Sequence, residues 1–226
     1  MTYVLDLEGL ASREELHGLL RRTLDLPEWY GANLDALADV LSEGGTDRRL
    51  LFFGADRADP ALGGYIASLR RMLAEVSGRT PGLSVAWEDE SPCLACAYRL
   101  RNDPSVHYNC AQAALVPFAE AAGLDPETAY RLAANFGGGM KRASVCGAVT
   151  GGLMALGLLG VEDGPAVAEY HRRLKAAHSG CLDCADLLRM DRERGGDKKT
   201  HCDGMVYECC ALAEELVRRA GKLDGQ

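Results

Sequence analysis

The sequence predicts an α/β domain at residues 1–90, with a three-stranded parallel sheet and covering helices, followed by an all-helical, cysteine-rich bundle at residues 91–226. Apolar runs typical of strands occur only in the first part. All nine cysteines lie after residue 92. The acidic excess lies in the first part, where 9 Arg oppose 16 Asp and Glu, whereas the whole 226-residue chain has a net charge of −8.

Strand-like runs in the first domain occur at residues 3–7, 50–53 and 83–87. Helical patterns lie between them. Ser12 and Glu15 have the spacing of a capping box before the first helix. Pro60 begins another helix, after the run 50–53, which has the unbroken apolar character of a central strand. The order β-α-α-β-α-β favours a parallel sheet, because helical crossovers join parallel strands.

Residues 26–41, LPEWYGANLDALADVL, join a turn to a short helix. Gly31 is expected to allow the turn by adopting a positive φ, and Asn33 is a suitable N-cap. Asp35 and Asp39 are four residues apart on one helix face, a spacing at which like charges repel. The pair therefore indicates either a binding surface or a solvated acidic face near a helix N-terminus.

The residues of this segment, from Leu26 to Leu37, resemble the signature of the barstar family of ribonuclease inhibitors, and the resemblance covers about residues 1–90. It implies the same α/β layout and a loop and helix that fill a nuclease active site, with carboxylates in the places of RNA phosphates. By the resemblance, the contact positions are Trp29, Gly31, Asn33, Asp35 and Asp39. Trp29 replaces a tyrosine, Ala38 replaces a large aromatic residue, and Glu75 is the nearest candidate for a second acidic contact.

The negative charge of the first domain argues against direct nucleic-acid binding and for a basic protein partner, which the resemblance implies is a barnase-like ribonuclease. We find no nucleophile or metal cluster in this domain, and we expect its histidine, His17, on the surface. No secretory signal is visible, so we expect a cytoplasmic protein. The longest apolar stretch, 145–161, is Gly-rich and short for a membrane span, so we expect a buried helix and no membrane association.

The second domain has helical patterns at residues 110–122, 126–136, 145–159, 165–177 and 203–220. Ser144 is the expected cap of the apolar helix 145–159. Gly147, Gly151 and Gly152 in that helix would let another helix or a cofactor approach its backbone closely. Lys198, Lys199 and His201 are expected in a polar loop.

The nine cysteines carry the chemistry of the second domain. In a reducing compartment they are more typical of metal or redox chemistry than of structural cross-links. Cys146, near a helix N-terminus, is our first choice for the reactive thiol or cluster ligand, because the helix dipole favours a thiolate. For Cys209 or Cys210 alone we expect simple packing in the core. The others are Cys93, Cys96, Cys110, Cys181, Cys184 and Cys202.

A series of motifs in this half resembles the C-GCAxxG-C-C family of redox-active proteins: YNCAQ at 108–112, FGGGM at 136–140, VCGAVTG at 145–151, CADLL at 184–188, and Cys202. The resemblance makes Cys110, Cys146, Cys184 and Cys202 the four family cysteines, with Val145 where the pattern has a glycine. It leaves open a redox disulfide without a cofactor, an iron–sulfur cluster or another metal centre. Cys93, Cys96 and Cys181 are additional thiols that are ligands, resolving thiols or packing residues.

The sequence thus predicts an acidic protein-binding module joined to a redox or metal-binding module. The alternative is a thiol–disulfide or iron–sulfur redox protein, an oxidoreductase or electron carrier, in which the first domain only recruits a partner. The oligomeric state stays open.

Overall fold

The computed structural model describes residues 2–43, 48–162 and 164–223. The chain divides into two compact units, residues 1–90 and residues 91–226. None of the helices in the described ranges combines the length and apolar character needed to cross a membrane.

The first unit is built on a three-stranded parallel sheet. Its strands are β1 (Thr2–Asp6), β2 (Arg48–Phe53) and β3 (Leu83–Trp87), in the spatial order β1-β2-β3. Both neighbouring pairs are parallel, so the apolar run at 50–53 lies in the central strand. Its burial explains the absence of polar residues, and the predicted sheet is confirmed.

Three α-helices pack with this sheet: α1 (Arg13–Leu24), α2 (Leu34–Ser42) and α3 (Gly63–Arg79). Short 3₁₀ turns at Pro60–Leu62 and Glu88–Glu90 precede α3 and follow β3. Ser12 caps α1 by accepting a hydrogen bond from the Glu15 backbone N–H. Leu37 and Leu41 of α2 are buried in the core, so the opposite face of α2 is left to solvent.

The second unit is helical in its described residues, apart from an isolated antiparallel bridge between Val145 and Asp183. Its α-helices are α4 (Pro92–Asn102), α5 (Cys110–Leu115), α6 (Pro126–Ala133), α7 (Gly147–Leu158), α8 (Gly164–Ala177), α9 (Cys184–Glu193) and α10 (Lys198–Arg219). The predicted helical class is confirmed, but α4 and α9 are helices that the sequence patterns did not indicate.

Several predicted helix ends differ from the structure. Pro117, which has no N–H to donate, divides the expected 110–122 helix into α5 and two 3₁₀ turns, Val116–Phe118 and Glu120–Ala122. The apolar helix begins at Gly147 rather than Val145, and Ser144 does not cap it, because the Ser144 hydroxyl donates to the Gly139 carbonyl instead.

The last helix begins earlier than predicted. Asp197 caps α10 by accepting hydrogen bonds from the backbone N–H groups of Lys199 and Thr200. Lys198, Lys199 and His201 therefore lie on the first turns of α10 and not in a loop.

The glycines of α7 allow close packing, as predicted. A Cβ at Gly151 would lie 2.6 Å from the Ala111 carbonyl oxygen and 2.8 Å from the Ala114 Cβ, so α7 packs directly on the backbone of α5. A Cβ at Gly152 would overlap the hydroxyl of Tyr170, a fully buried residue of α8. Small residues are required at both contacts because no side-chain atom fits between the helices.

Gly152→Ala is expected to lower the free energy of unfolding by about 1–3 kcal/mol, because the new methyl overlaps Tyr170. Gly157→Ala is the matched control in the same helix. Gly157 is exposed and a Cβ there would meet no atom within 4 Å, so alanine should stabilise the helix by about 0.5–1 kcal/mol. Urea unfolding followed by circular dichroism measures both effects. Equal midpoints for the two variants would contradict this packing.

Candidate functional site

Four cysteines line one cavity in the second unit, here called the cysteine cavity, with a volume of about 910 Å³. Cys110 is the first residue of α5, Cys146 directly precedes α7, and Cys184 is the first residue of α9. Cys202 lies near the N-terminal end of α10. The chain therefore brings together cysteines up to 92 positions apart by directing helix beginnings toward one space.

Local hydrogen bonds fix the positions of these cysteines. The Cys146 backbone N–H donates to the Leu182 carbonyl and the Cys184 N–H donates to the Ser144 carbonyl, each at 2.8 Å. These two bonds join the segments that carry Cys146 and Cys184. Asn109 accepts hydrogen bonds from the first N–H groups of α5 and so holds the helix beginning at Cys110.

Cys110 is central among the four. Its sulfur packs against the backbone of Gly147, where a Cβ would lie 2.5 Å from Sγ. Among the neighbouring charged groups, Cys110 has the largest effect on the pKa of Cys146, Cys184 and Cys202. Cys110 is partly exposed, whereas Cys146 is 6% exposed. An external reagent thus reaches Cys110 more easily than Cys146.

Burial controls the acidity of these thiols. It raises the pKa of Cys146 to about 12 and that of Cys202 to about 11, with Cys110 raising both further, and it also raises the pKa of Cys184. Hydrogen bonds from the Ala148 and Val149 N–H groups lower the pKa of Cys146, as a helix N-terminus should. Desolvation outweighs them, so the predicted preference of Cys146 for the thiolate is wrong for the reduced protein.

Basic side chains surround the cysteine cavity, and the sequence analysis did not assign them to a site. Lys141 and Arg142 lie on an unusual turn at Gly139–Ala143, after the Gly-rich segment that ends α6. Lys198 is the first residue of α10 and lowers the pKa of both Cys184 and Cys202. The only sequence signal for the turn was the triple glycine followed by two basic residues.

The other five cysteines, all within the described ranges, do not line this cavity. Cys209 and Cys210 are fully buried on α10, in agreement with a packing role. Cys93 is buried on α4, where its thiol faces the Pro117 carbonyl oxygen at 3.5 Å. Cys96 is partly buried on α4, and Cys181 precedes α9. Among the residues that the structure describes, no group of three or more His, Cys, Asp or Glu side chains is arranged to hold a metal ion.

A second candidate site lies on the first unit. All the predicted contact residues there are exposed, and the Trp29 side chain is 65% exposed. We name this surface the acidic face; it consists of Trp29, Gly31, Asn33, Asp35 and Asp39. Asn33 caps α2, with its Oδ1 accepting from the Ala36 N–H at 2.9 Å. The Leu37 and Leu41 contacts on the buried side hold Asp35 and Asp39 toward solvent.

A buried histidine anchors the loop before α2. His17 is 3% exposed, so its predicted surface position is wrong. Its Nδ1 lies 2.5 Å from the hydroxyl of Tyr30 and its Nε2 lies 2.7 Å from that of Tyr65. Burial lowers the pKa of His17, which keeps the ring neutral between the two phenols. Arg21 also donates to the Tyr30 carbonyl at 2.7 Å. Tyr30 is thereby fixed between the exposed residues Trp29 and Gly31.

The turn itself differs from the prediction. Gly31 does not adopt a positive φ; Ala32 does, at 50°. A Cβ at residue 31 would lie 3.1 Å from the Asn33 side-chain nitrogen, so the glycine is needed for space beside the cap. Glu75 is exposed on α3 and pairs with Arg79 at 3.3 Å.

Comparison with known families supports both halves. The Barstar (barnase inhibitor) family model matches residues 1–97, and the model described as "Putative redox-active protein (C_GCAxxG_C_C)" matches residues 108–216. The N-terminal half therefore resembles the barstar family and the C-terminal half resembles the C-GCAxxG-C-C family, as the motifs indicated. No curated protein matches the chain.

The raised pKa values predict slow alkylation of the reduced, folded protein. At pH 8, iodoacetamide should modify Cys202 roughly 100-fold more slowly than in the unfolded chain, because a higher pKa leaves less thiolate. Cys146 should react more slowly still, and both rates should rise about tenfold per pH unit below the pKa. Mass spectrometry of cysteine peptides measures these rates, with urea-unfolded protein as the control. Equal rates in folded and unfolded protein would contradict the burial argument.

Proposed function

We propose that the second unit carries out dithiol–disulfide exchange in the cysteine cavity, and that the first unit binds a basic protein partner through the acidic face. One observation carries the redox proposal: the four cysteines that match the family pattern line a single cavity. Disulfide exchange requires two sulfurs close in space and one that a substrate can reach. Cys110 and Cys146 meet these requirements together.

The burial difference assigns a role to each thiol. Cys110, partly exposed, attacks the substrate disulfide; Cys146, buried beside it, resolves the mixed disulfide. This assignment replaces our first choice of Cys146 as the attacking thiol, since the pKa of Cys146 is raised by burial. Cys184 and Cys202 complete the lining of the cavity and are the alternative resolving thiols.

The reaction proceeds in two balanced steps. The Cys110 thiolate attacks one sulfur of the disulfide RSSR, which forms a Cys110–SR bond and releases RS⁻. Cys146 then loses its proton to the released thiolate and attacks the Cys110 sulfur. A Cys110–Cys146 disulfide forms and the second RS⁻ leaves, taking a proton from solvent. The protein dithiol is oxidised by two electrons, and the disulfide is reduced to two RSH.

The alternative chemistry is a metal or iron–sulfur centre held by Cys110, Cys146, Cys184 and Cys202, since thiolates are the usual cluster ligands. Iron, zinc and acid-labile sulfide in protein purified without oxygen distinguish the two. Stoichiometric iron and sulfide would replace the exchange proposal with a cluster-carrying electron carrier. Reducible thiols without bound metal are expected from exchange in the cytoplasm, where we propose that the protein keeps its cysteines reduced.

The acidic face supports the binding proposal. Asp35 and Asp39 are exposed on one side of α2, and Trp29 offers a large apolar contact beside them. His17 and Arg21 hold the intervening loop, so little order is lost on binding. A basic active site, such as that of a barnase-like ribonuclease, would accept these carboxylates in place of RNA phosphates. If the partner is not a ribonuclease, the same face would recruit a basic redox partner to the second unit.

Single cysteine substitutions test the exchange reaction. Cys110→Ser should abolish reduction of hydroxyethyl disulfide, because the attacking sulfur is lost. Cys146→Ser should trap one substrate thiol on Cys110, which intact-mass spectrometry detects as a single mixed disulfide. Cys181→Ser is the control, since Cys181 lies outside the cysteine cavity. Full reduction by Cys110→Ser would overturn the proposal, and trapping by Cys184→Ser or Cys202→Ser instead would reassign the resolving thiol.

Replacement of one carboxylate tests the acidic face. Asp39→Ala should weaken binding to a barnase-like ribonuclease by roughly 2–4 kcal/mol, because the partner's basic group would lose its charge pair in a desolvated contact. Glu14→Ala removes the same charge from an exposed position on α1 and should change the affinity little. Titration calorimetry measures both. An unchanged dissociation constant for Asp39→Ala would exclude this carboxylate from the contact.

A further inference from the structure

We propose that the substrates of the cysteine cavity are low-molecular-weight disulfides that carry carboxylates or similar anionic groups. We further propose that Lys141, Arg142 and Lys198, here called the cationic rim, recognise those groups. This substrate class rests on the exchange reaction proposed above. It depends on charges, contacts and backbone geometry around the cavity that the redox proposal itself does not use.

The charges that line the cavity are mainly positive. Five cationic residues and two carboxylates contribute to the lining: Arg101, Lys141, Arg142, Lys198 and Lys199, with Asp103 and Asp197. The neutral or weakly basic rings of His107 and His201 also line it. The whole chain is acidic, so a positive cavity runs against the composition of the protein.

Local partners account for the remaining charges. Arg101 and Lys199 both pair with Asp203, at 2.5 and 2.7 Å. Asp103 accepts hydrogen bonds from the Ser105 and Val106 N–H groups. Asp197 caps α10, and His201 faces Asp191 at 3.4 Å. The described contacts thus engage these carboxylates away from the cationic rim.

The cationic rim stays available to a ligand. Lys141, Arg142 and Lys198 are exposed at the cavity. Lys141 donates to the neutral amide oxygen of Asn135 at 2.9 Å, which leaves its positive charge uncompensated. Lys198 is close enough to lower the pKa of Cys184 and Cys202 against the effect of burial. An anionic group bound at Lys198 would therefore lie near these sulfurs.

A strained backbone places two of the three basic residues. Positive φ values occur at Gly138, Gly139, Met140, Lys141 and Ala143, between 56° and 60°. For a residue with a Cβ this conformation costs roughly 1–2 kcal/mol. Strain of this kind is typical of ligand and active sites, where it sets the position of functional side chains. Here the turn brings Lys141 and Arg142 to the cavity lining.

The size and walls of the cavity set the rest of the substrate class. A volume of about 910 Å³ is within the range of small-molecule sites. Apolar side chains form part of the wall: Leu100, Val106, Leu187, Leu188 and Met205. These walls accept the carbon skeleton of a small disulfide, while the cationic rim binds its charged ends.

Three symmetric disulfides of different charge test the inference with the full-length reduced protein. They are anionic dithiodiglycolate, neutral hydroxyethyl disulfide and cationic cystamine, each rate being normalised to its reaction with dithiothreitol. We expect the anionic disulfide to react at least about tenfold faster than the cationic one, with the difference shrinking at 0.5 M salt.

Variants of the rim make the test specific. Lys198→Gln and Arg142→Gln should each slow the anionic disulfide about fivefold and leave the neutral one unchanged. Lys175→Gln, an exposed position on α8 outside the cavity, should change neither rate. If the neutral disulfide reacts but no charge preference appears, the substrate class is overturned and exchange stands. If no disulfide is reduced, the proposed exchange fails and the inference fails with it.

Discussion

The close contact of α7 with α5 is the constraint on which the cysteine cavity depends. Gly147 and Gly151 leave no room for a Cβ, so the two helix backbones meet directly. This contact places the Cys110 sulfur on the first residue of α7, next to Cys146. The bridge between Val145 and Asp183 then adds Cys184 to the same space. Backbone proximity, rather than any single side-chain bond, therefore assembles the site.

Desolvation and helix-terminal hydrogen bonds oppose each other at this site. Cys146 receives hydrogen bonds from the first N–H groups of α7, yet burial dominates and its pKa rises. Reduced thiols are consequently held protonated inside the cavity, while the partly exposed Cys110 faces the space that a substrate would enter. A buried resolving thiol beside an accessible one is suited to exchange, because mixed disulfides form outward and close inward.

The first unit shows how a buried polar group can support an exposed surface. His17, Tyr30 and Tyr65 satisfy one another's hydrogen bonds in the interior. Tyr30 is fixed by these bonds, and its neighbours Trp29 and Gly31 are thereby held at the surface beside Asp35. A buried polar network that is fully paired favours one loop conformation over others. The acidic face is therefore presented by a rigid loop and a packed helix.

The sequence by itself determined the local structure of this protein. Apolar runs specified the strands, Ser12, Asn33 and Asp125 specified helix beginnings, and cysteine motifs indicated the redox half. These signals are local, since propensity and capping act over a few residues. Tertiary structure alone decided that His17 is buried, that the thiols are weakly acidic, and that Lys141, Arg142 and Lys198 surround the cysteines. Burial and proximity depend on packing between distant segments, and no short stretch of sequence contains that information.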